Sequence, residues 1–303
     1  MPPFVRLAVR FLGIAALTLS FGCARKHADP SATKAAGPTG AAETTHVVKR
    51  VVSLSPSTTE ALFAVGAKDV VVGRSRYCDF PPEALALPQV GGFADPNFEA
   101  VLALKPDLVV GARGPAGVQL LDRLTAFGTE GYFPETESFA QIDAMLLGVG
   151  ARTGREKEAQ QVVAQMHARE AEVQAAVAGR PRPRVLLVFG LEPIVVGGPR
   201  SFPNEMLDRA GADNAVREGG LYPTLGMEQI FALDPDVVMN AASQEAHGAQ
   251  RITREAPGWR ELRAVKSGRV IPIPDESVLR PGPRVAEGVV VFARALHPDA
   301  AVR

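Results

Sequence analysis

The chain has 303 residues, 46% of them apolar, which is enough to bury one sizeable core or two smaller ones. Lysine plus arginine and aspartate plus glutamate balance at 33 each, so the charge gives no argument for nucleic acid, whose binders carry a basic excess. Cysteine occurs only as Cys23 and Cys78, which excludes a disulfide framework.

The first residues read as targeting rather than fold. Arg6 and Arg10 form a positive flank, and Phe11 to Phe21 is an apolar run too short to span a membrane, which takes about 20 residues. The run ends in Leu19-Ser20-Phe21-Gly22-Cys23, which resembles a bacterial lipobox. That resemblance implies cleavage after Gly22 and lipidation of Cys23, making residues 1–23 a lipoprotein-type signal peptide. Ser20 stands where such signals usually carry leucine, so cleavage without lipidation stays open. On either path the chain is exported. Residues 24–48, rich in Ala, Thr, Gly and Pro, read as a flexible tether; about 25 such residues span roughly 25–30 Å.

Residues 49–150 read as an α/β lobe. Arg50 to Leu54 is a strand, and Ser57 with Glu60 has the spacing of a capping box for a helix running to Gly66. Val70 to Gly73 is a second strand, and Pro81-Pro82 marks the stretch after that strand as a loop. Leu120 to Phe127 reads as helix and Gly131 to Pro134 as a short strand. Over 151–180, Thr153 with Glu156 predicts a second capping box. Ala159, Val162, Val163, Met166, Val173 and Val177 then make a helical apolar stripe that Gly179 ends. A helix over residues 154–178 would run roughly 37 Å and link two lobes. The second lobe, 181–303, opens as the first does, with Arg184 to Gly190 as strand. Ile194 to Gly198 is a strand, 203–210 a helix, Trp259 the start of a short helix, Arg269 to Ile273 the last strand and Val285 to Leu296 the closing helix.

One stretch occurs in both lobes. Residues 98–110 and 227–239 align without a gap, matching Glu99 with Glu228, Leu104 with Leu233, Pro106 with Pro235 and Asp107 with Asp236. Each copy reads as a short helix with a carboxylate in its first turn, a proline that ends it, and a buried strand.

Taken together, the chain resembles the substrate-binding proteins of ABC importers that handle cobalamin and iron–siderophores. The resemblance spans about residues 49–297. It rests on Arg50 to Pro56 with Thr59-Glu60, Tyr77 to Pro81, Phe98-Glu99 with Leu104 to Asp107, Met227-Glu228-Gln229 with Leu233 to Asp236, and Trp259 with Gly268-Arg269-Val270. It implies two Rossmann-like α/β lobes joined by one long helix, with the ligand in the cleft between them. It also implies a monomer that delivers a small metal chelate to an ABC permease dimer and its ATPase, periplasmic and held to the membrane by its lipid. Glu99 and Glu228 match the family's permease-docking glutamates. Tyr77, Asp79, Phe80, Phe93, Tyr222 and Arg280 match or adjoin ligand-contacting positions, with Phe93 and Tyr222 standing where a cobalamin binder has tryptophans. A corrinoid (cobalamin or cobinamide) is the expected ligand, with a ferric siderophore or haem as the alternative; Arg113, Arg200, Arg280 and Arg284 bear on that choice, because an arginine cluster would favour anionic chelates. Arg113 and Arg200 read as surface residues, Trp259 as structural, and Cys78 as a small buried residue rather than a metal ligand.

An exported enzyme or a ligand-sensing domain is the competing class. The histidines His27, His46, His167, His247 and His297 have no zinc spacing. There is no Gly-x-Ser-x-Gly elbow and no phosphate loop with its lysine. Gly148-x-Gly150 lacks a preceding strand, and Asp275-Glu276 reads as a solvated pair. No catalytic residue, resident metal or cofactor is expected.

Overall fold

The computed structural model describes residues 48–242, 252–273 and 279–302. The signal segment with Cys23, the tether up to His46, His247 and the Asp275-Glu276 pair lie outside the described residues.

The first half is a parallel sheet with its connecting helices. Its strands β1 (Val51–Ser53), β2 (Val71–Arg74), β3 (Leu108–Val110) and β4 (Glu130–Tyr132) stand in the order β2-β1-β3-β4, every neighbour parallel. Helix α1 (Pro56–Ala64) joins β1 to β2, α2 (Phe98–Ala103) precedes β3, and α3 (Pro115–Ala126) joins β3 to β4. Helix α4 (Phe139–Thr153) and α5 (Glu156–Val177) come next. In the second half, β5 (Arg184–Leu191) pairs with antiparallel β6 (Ile194–Val196) and, past α6 (Phe202–Arg209), with parallel β7 (Asp213–Asn214). After α7 (Met227–Leu233), β8 (Val237–Asn240) lies parallel to β5. After α8 (Arg263–Lys266), β9 (Val270–Pro272) adds beside β8, and α9 (Val285–Leu296) closes the chain. The long helix α5 packs against α4 and α9 and touches α6.

Strand alternation explains why the strands are apolar without interruption. Val51, Leu108 and Val110 from the first sheet and Val185, Leu187, Val237 and Met239 from the second face one continuous core shared by both halves. Their neighbours point the other way: Val52 and Val109 into a cluster private to the first half, Leu186, Val188 and Val238 into one private to the second. Both faces of each sheet are therefore buried, as parallel sheets require. Trp259 is a buried member of the second private cluster, as expected of a structural tryptophan.

The repeat folds as the same device twice. Val101 and Ile230 bury fully, and Pro106 and Pro235 are buried after them. The residue before each proline, Lys105 or Asp234, takes a positive φ of 48° or 38°, which ends the helix by a conformation uncommon outside glycine. Asp107 Oδ2 accepts the Lys49 and Arg50 N–H groups at 2.8 and 3.0 Å; Asp236 Oδ2 accepts the Arg184 N–H at 2.8 Å. The same two arginines reach back to the helix ends, donating to the carbonyls of Leu104 and Leu233, each at 2.7 Å. Proline stops the helix, and aspartate and arginine staple its end to the entry of the neighbouring strand.

Two expectations need correction. The first helix starts two residues earlier than the Ser57–Glu60 spacing implies: Ser55 is its N-cap, Pro56 takes the first helical position, and Glu60 is committed elsewhere. Thr153 does not cap α5. It closes α4, its hydroxyl donating to the Val149 carbonyl at 2.8 Å, and Gly154 makes the left-handed turn between the helices. Helix α4, which contains Gly148 and Gly150, is itself unanticipated. A Cβ on Gly150 would come within 2.5 Å of the Ala159 Cβ, so that glycine exists to let α4 and α5 approach closely.

Replacing Asp107 or Asp236 by alanine removes the acceptor from solvent-accessible strand-entry N–H groups and is expected to lower the unfolding free energy by about 0.5–1.5 kcal/mol each in urea titrations. The Asp236 carboxyl is held below the usual carboxylate range by the Arg184 N–H and then by Arg263. Its contribution is present in full above about pH 4 and is lost as pH falls through the depressed native value. The D236A deficit should therefore shrink in acid; a deficit independent of pH would refute the assignment.

Candidate functional site

The first sheet changes direction between β1 and β3: the chain leaves β1 toward β2 on one side and returns to β3 on the other. In open α/β sheets such a point leaves a crevice beyond the strand ends. Here it holds a cavity of about 470 Å³. Its lining comes from the loops after the strands: Ser55 and Ser57 after β1, Tyr77 after β2, Phe93 and Asp95 ahead of α2, and Ala112 after β3. The facing wall is Arg280 and Pro281, from the segment between β9 and α9. The cavity thus opens between the first lobe and a segment of the second.

Local chemistry holds each piece. Below the cavity, a hydroxyl network orders the β1–α1 turn: Ser53 and Ser55 Oγ lie 2.9 and 2.8 Å from Thr58 Oγ1, and Ser55 Oγ accepts the Ala112 N–H at 3.1 Å. Tyr77 presents its ring to solvent, 53% exposed, with the Arg76 guanidinium 4.9 Å from the ring centroid. Arg76 Nη2 also donates to both Asp95 oxygens at 2.8 and 2.9 Å. Phe93 needs Gly114, where a Cβ would stand 3.0 Å from the ring edge.

Behind the facing wall lies an ion cluster that joins the halves. Glu60, on α1, has a side chain only 1% exposed. Arg284 Nε and Nη2 donate to its two oxygens at 2.8 and 2.7 Å, and Arg280 Nη1 to one at 3.2 Å. Arg280 also forks onto Asp79, at 2.6 and 3.1 Å. That contact lowers the Asp79 carboxyl and raises the Arg280 guanidinium. Phe80 lies flat beneath Arg284, whose guanidinium carbon is 3.9 Å from the ring centroid. Cys78 is buried with Sγ 3.2 Å from Ser75 Oγ.

Of the six residues matched to ligand positions, Tyr77, Phe93 and Arg280 line the cavity, and Asp79 and Phe80 brace its arginines. Tyr222 is not among the lining residues. Its ring stacks edge-on against Phe189 (β5), and its hydroxyl donates to Glu137 Oε2 at 3.1 Å across the lobes. Burial and the neighbouring carboxylate push the Tyr222 phenol well up, and burial raises Glu137 too. Across the same boundary, Glu205 of α6 accepts the N–H of Phe139, the first residue of α4, at 3.0 Å. Arg113 and Arg200 are exposed, Arg113 against Glu135. Sequence reasoning missed Glu60, Glu137 and Glu205, whose partners are too distant in the chain to be seen in a local pattern. Glu99 and Glu228 are exposed, each the second residue of its helix, and neither makes an ion pair among the described residues.

The model of the periplasmic binding protein family matches residues 51–277. The chain belongs to that family. The vitamin B12-binding protein of Salmonella typhimurium is 31% identical over 252 residues, covering 83% of this chain and 91% of that protein. Among solved structures, the periplasmic vitamin B12 binding protein of Vibrio cholerae has a TM-score of 0.70 and 26% identity, over 82% of this chain and 97% of that one. A periplasmic heme binding protein from Pseudomonas aeruginosa has a TM-score of 0.73 and 28% identity, over 84% of this chain and 94% of that one. This periplasmic binding protein thus has a fold close to proteins named for either ligand, so fold does not choose between them.

Changing Arg284 to methionine leaves Glu60 with Arg280 alone among the described residues and is expected to cost about 3–5 kcal/mol of stability. A loss below about 1 kcal/mol by urea denaturation would mean the carboxylate is hydrated rather than buried.

Proposed function

We propose that this chain is the extracytoplasmic substrate-binding component of an ABC importer and that it captures a corrinoid, cobalamin or cobinamide, for delivery without chemical turnover. The observation that carries the reading is the cavity at the switch point of the first sheet, rimmed by the Tyr77 and Phe93 rings and faced by Arg280 and Pro281. Its volume falls in the range of small-molecule sites, roughly 300–1,000 Å³. Two aromatic faces suit a broad, partly apolar ring, each stacking contact adding about 0.5–1.5 kcal/mol beyond area burial. The name of the Salmonella typhimurium relative supports the same ligand. A ferric siderophore or haem is the second reading, supported by the Pseudomonas aeruginosa neighbour.

Delivery requires a permease dimer and its ATPase. Exposed carboxylates at matched positions of a duplicated unit, Glu99 and Glu228, suit a partner that presents one basic pocket to each lobe. Contacts of this kind steer and orient more than they add affinity. The lipobox-like stretch ending in Cys23 supports a lipid-anchored protein.

Calorimetric titration of cyanocobalamin and cobinamide tests the ligand. Tyr77→Ala and Phe93→Ala are each expected to weaken binding about tenfold, and undiminished binding by the double variant would place the ligand elsewhere. Reversing both Glu99 and Glu228 to arginine should abolish uptake by cells while leaving affinity in solution intact. Cys23→Ala should move the protein from the membrane fraction to the soluble one.

A further inference from the structure

Among the described residues, the charged side chains that line the cavity are Arg280 and Asp95, and each is already occupied by an opposite charge. The planar fork of Arg280 is filled by Asp79, at 2.6 and 3.1 Å, with Glu60 at 3.2 Å behind it. Asp95 is held through both oxygens by Arg76. Arg284, deeper in the wall, forks onto Glu60. Three arginines thus meet three carboxylates, and what else faces the ligand is hydroxyl, aromatic or apolar.

A guanidinium fork is the side-chain geometry best matched to a carboxylate. An open Arg280 would therefore select ligands that carry carboxylates at their edge. A filled one does the opposite: an incoming carboxylate must displace Asp79 and then sit beside it, and unfavourable like-charge pairs of this kind are a common source of specificity. We propose that Asp79 is the specificity-determining residue of this cavity, occupying Arg280 so that the site takes a ring whose peripheral groups are uncharged amides and turns away the same ring bearing carboxylates. This rests on the corrinoid reading above and adds to it the charge class of the ligand edge. Asp79 suits the part because its side chain is 58% exposed and serves no core, so the fold does not depend on its charge.

Two probes with one ring separate the ideas: dicyanocobinamide, whose ring side chains are amides, and dicyanocobyrinic acid, in which they are carboxylates. Both are titrated calorimetrically into the full chain in detergent, at low ionic strength. The wild-type protein should prefer the amide form at least tenfold. In Asp79→Asn the preference should fall at least tenfold, and about 1 M salt should shrink that change. Adding Arg280→Gln to D79N should restore the preference, since the freed fork is then gone. A wild-type preference near unity, a D79N preference equal to wild type, or a D79N effect that persists without Arg280 would each overturn the proposal. If wild-type protein binds neither probe, the corrinoid reading itself falls, and this inference with it.

Discussion

The interaction on which the site depends is the burial of one carboxylate, Glu60, against two arginines that lie more than two hundred residues away in the chain. An ionised carboxylate out of water is tolerable only when it is paired and its oxygens are filled. Glu60 meets that condition with three charge-assisted hydrogen bonds between 2.7 and 3.2 Å. Such a cluster is weak evidence of net stability, because desolvation offsets much of the attraction. Its consequence is geometric: a half-formed cluster would strand a buried charge, so Arg280 and Arg284 hold one position relative to α1. The facing wall of the cavity is the chain around Arg280. The same ion cluster therefore joins the halves and shapes the pocket.

The halves are joined elsewhere by a second device of the same chemical kind. Glu205 of α6 takes the N–H that opens α4, and Glu137, just ahead of α4, accepts the hydroxyl of Tyr222 from the second half. A helix start leaves its first N–H groups unsatisfied and carries partial positive charge, so a carboxylate suits it well. Here the second lobe supplies that carboxylate to a helix of the first. With the shared apolar core and α5 running beside both α4 and α9, three kinds of restraint act on the same boundary. Ordering costs were met at folding, and a ligand entering such a site has little left to organise.

Much of this architecture was legible in the sequence, and for definite reasons. Unbroken apolar runs from Val51, Leu108, Val185 and Val237 announce strands buried on both faces, and the helical apolar stripe from Ala159 to Val177 announces α5. The Leu-x-Pro-Asp repeat was readable as helix, stop and strand; what it could not reveal is the return of Arg50 and Arg184 to the helix ends, because that contact closes over about fifty residues. Glu60 misled for a related reason. A glutamate three residues after a serine fits a local cap, and nothing nearby says that a remote arginine has the stronger claim. Helix α4 went unread because nothing local shows that Gly150 is a contact point between helices. At the site, the resemblance named Tyr77, Phe93 and Arg280, which line the cavity, and Tyr222, which lies on the lobe boundary against Phe189 and Glu137.

The division between readable and unreadable features tracks the range of the forces. Periodicity and capping act within a few residues and leave marks on the sequence at that range. Ion pairing is indifferent to separation along the chain, so a carboxylate and its arginine can be any distance apart. The cavity shows both classes: its aromatic rim, Tyr77 and Phe93, is local to two loops, while its charges are set by contacts between the start and the end of the fold. Sequence similarity carried by strand and helix patterns can therefore persist between proteins named for vitamin B12 and proteins named for haem.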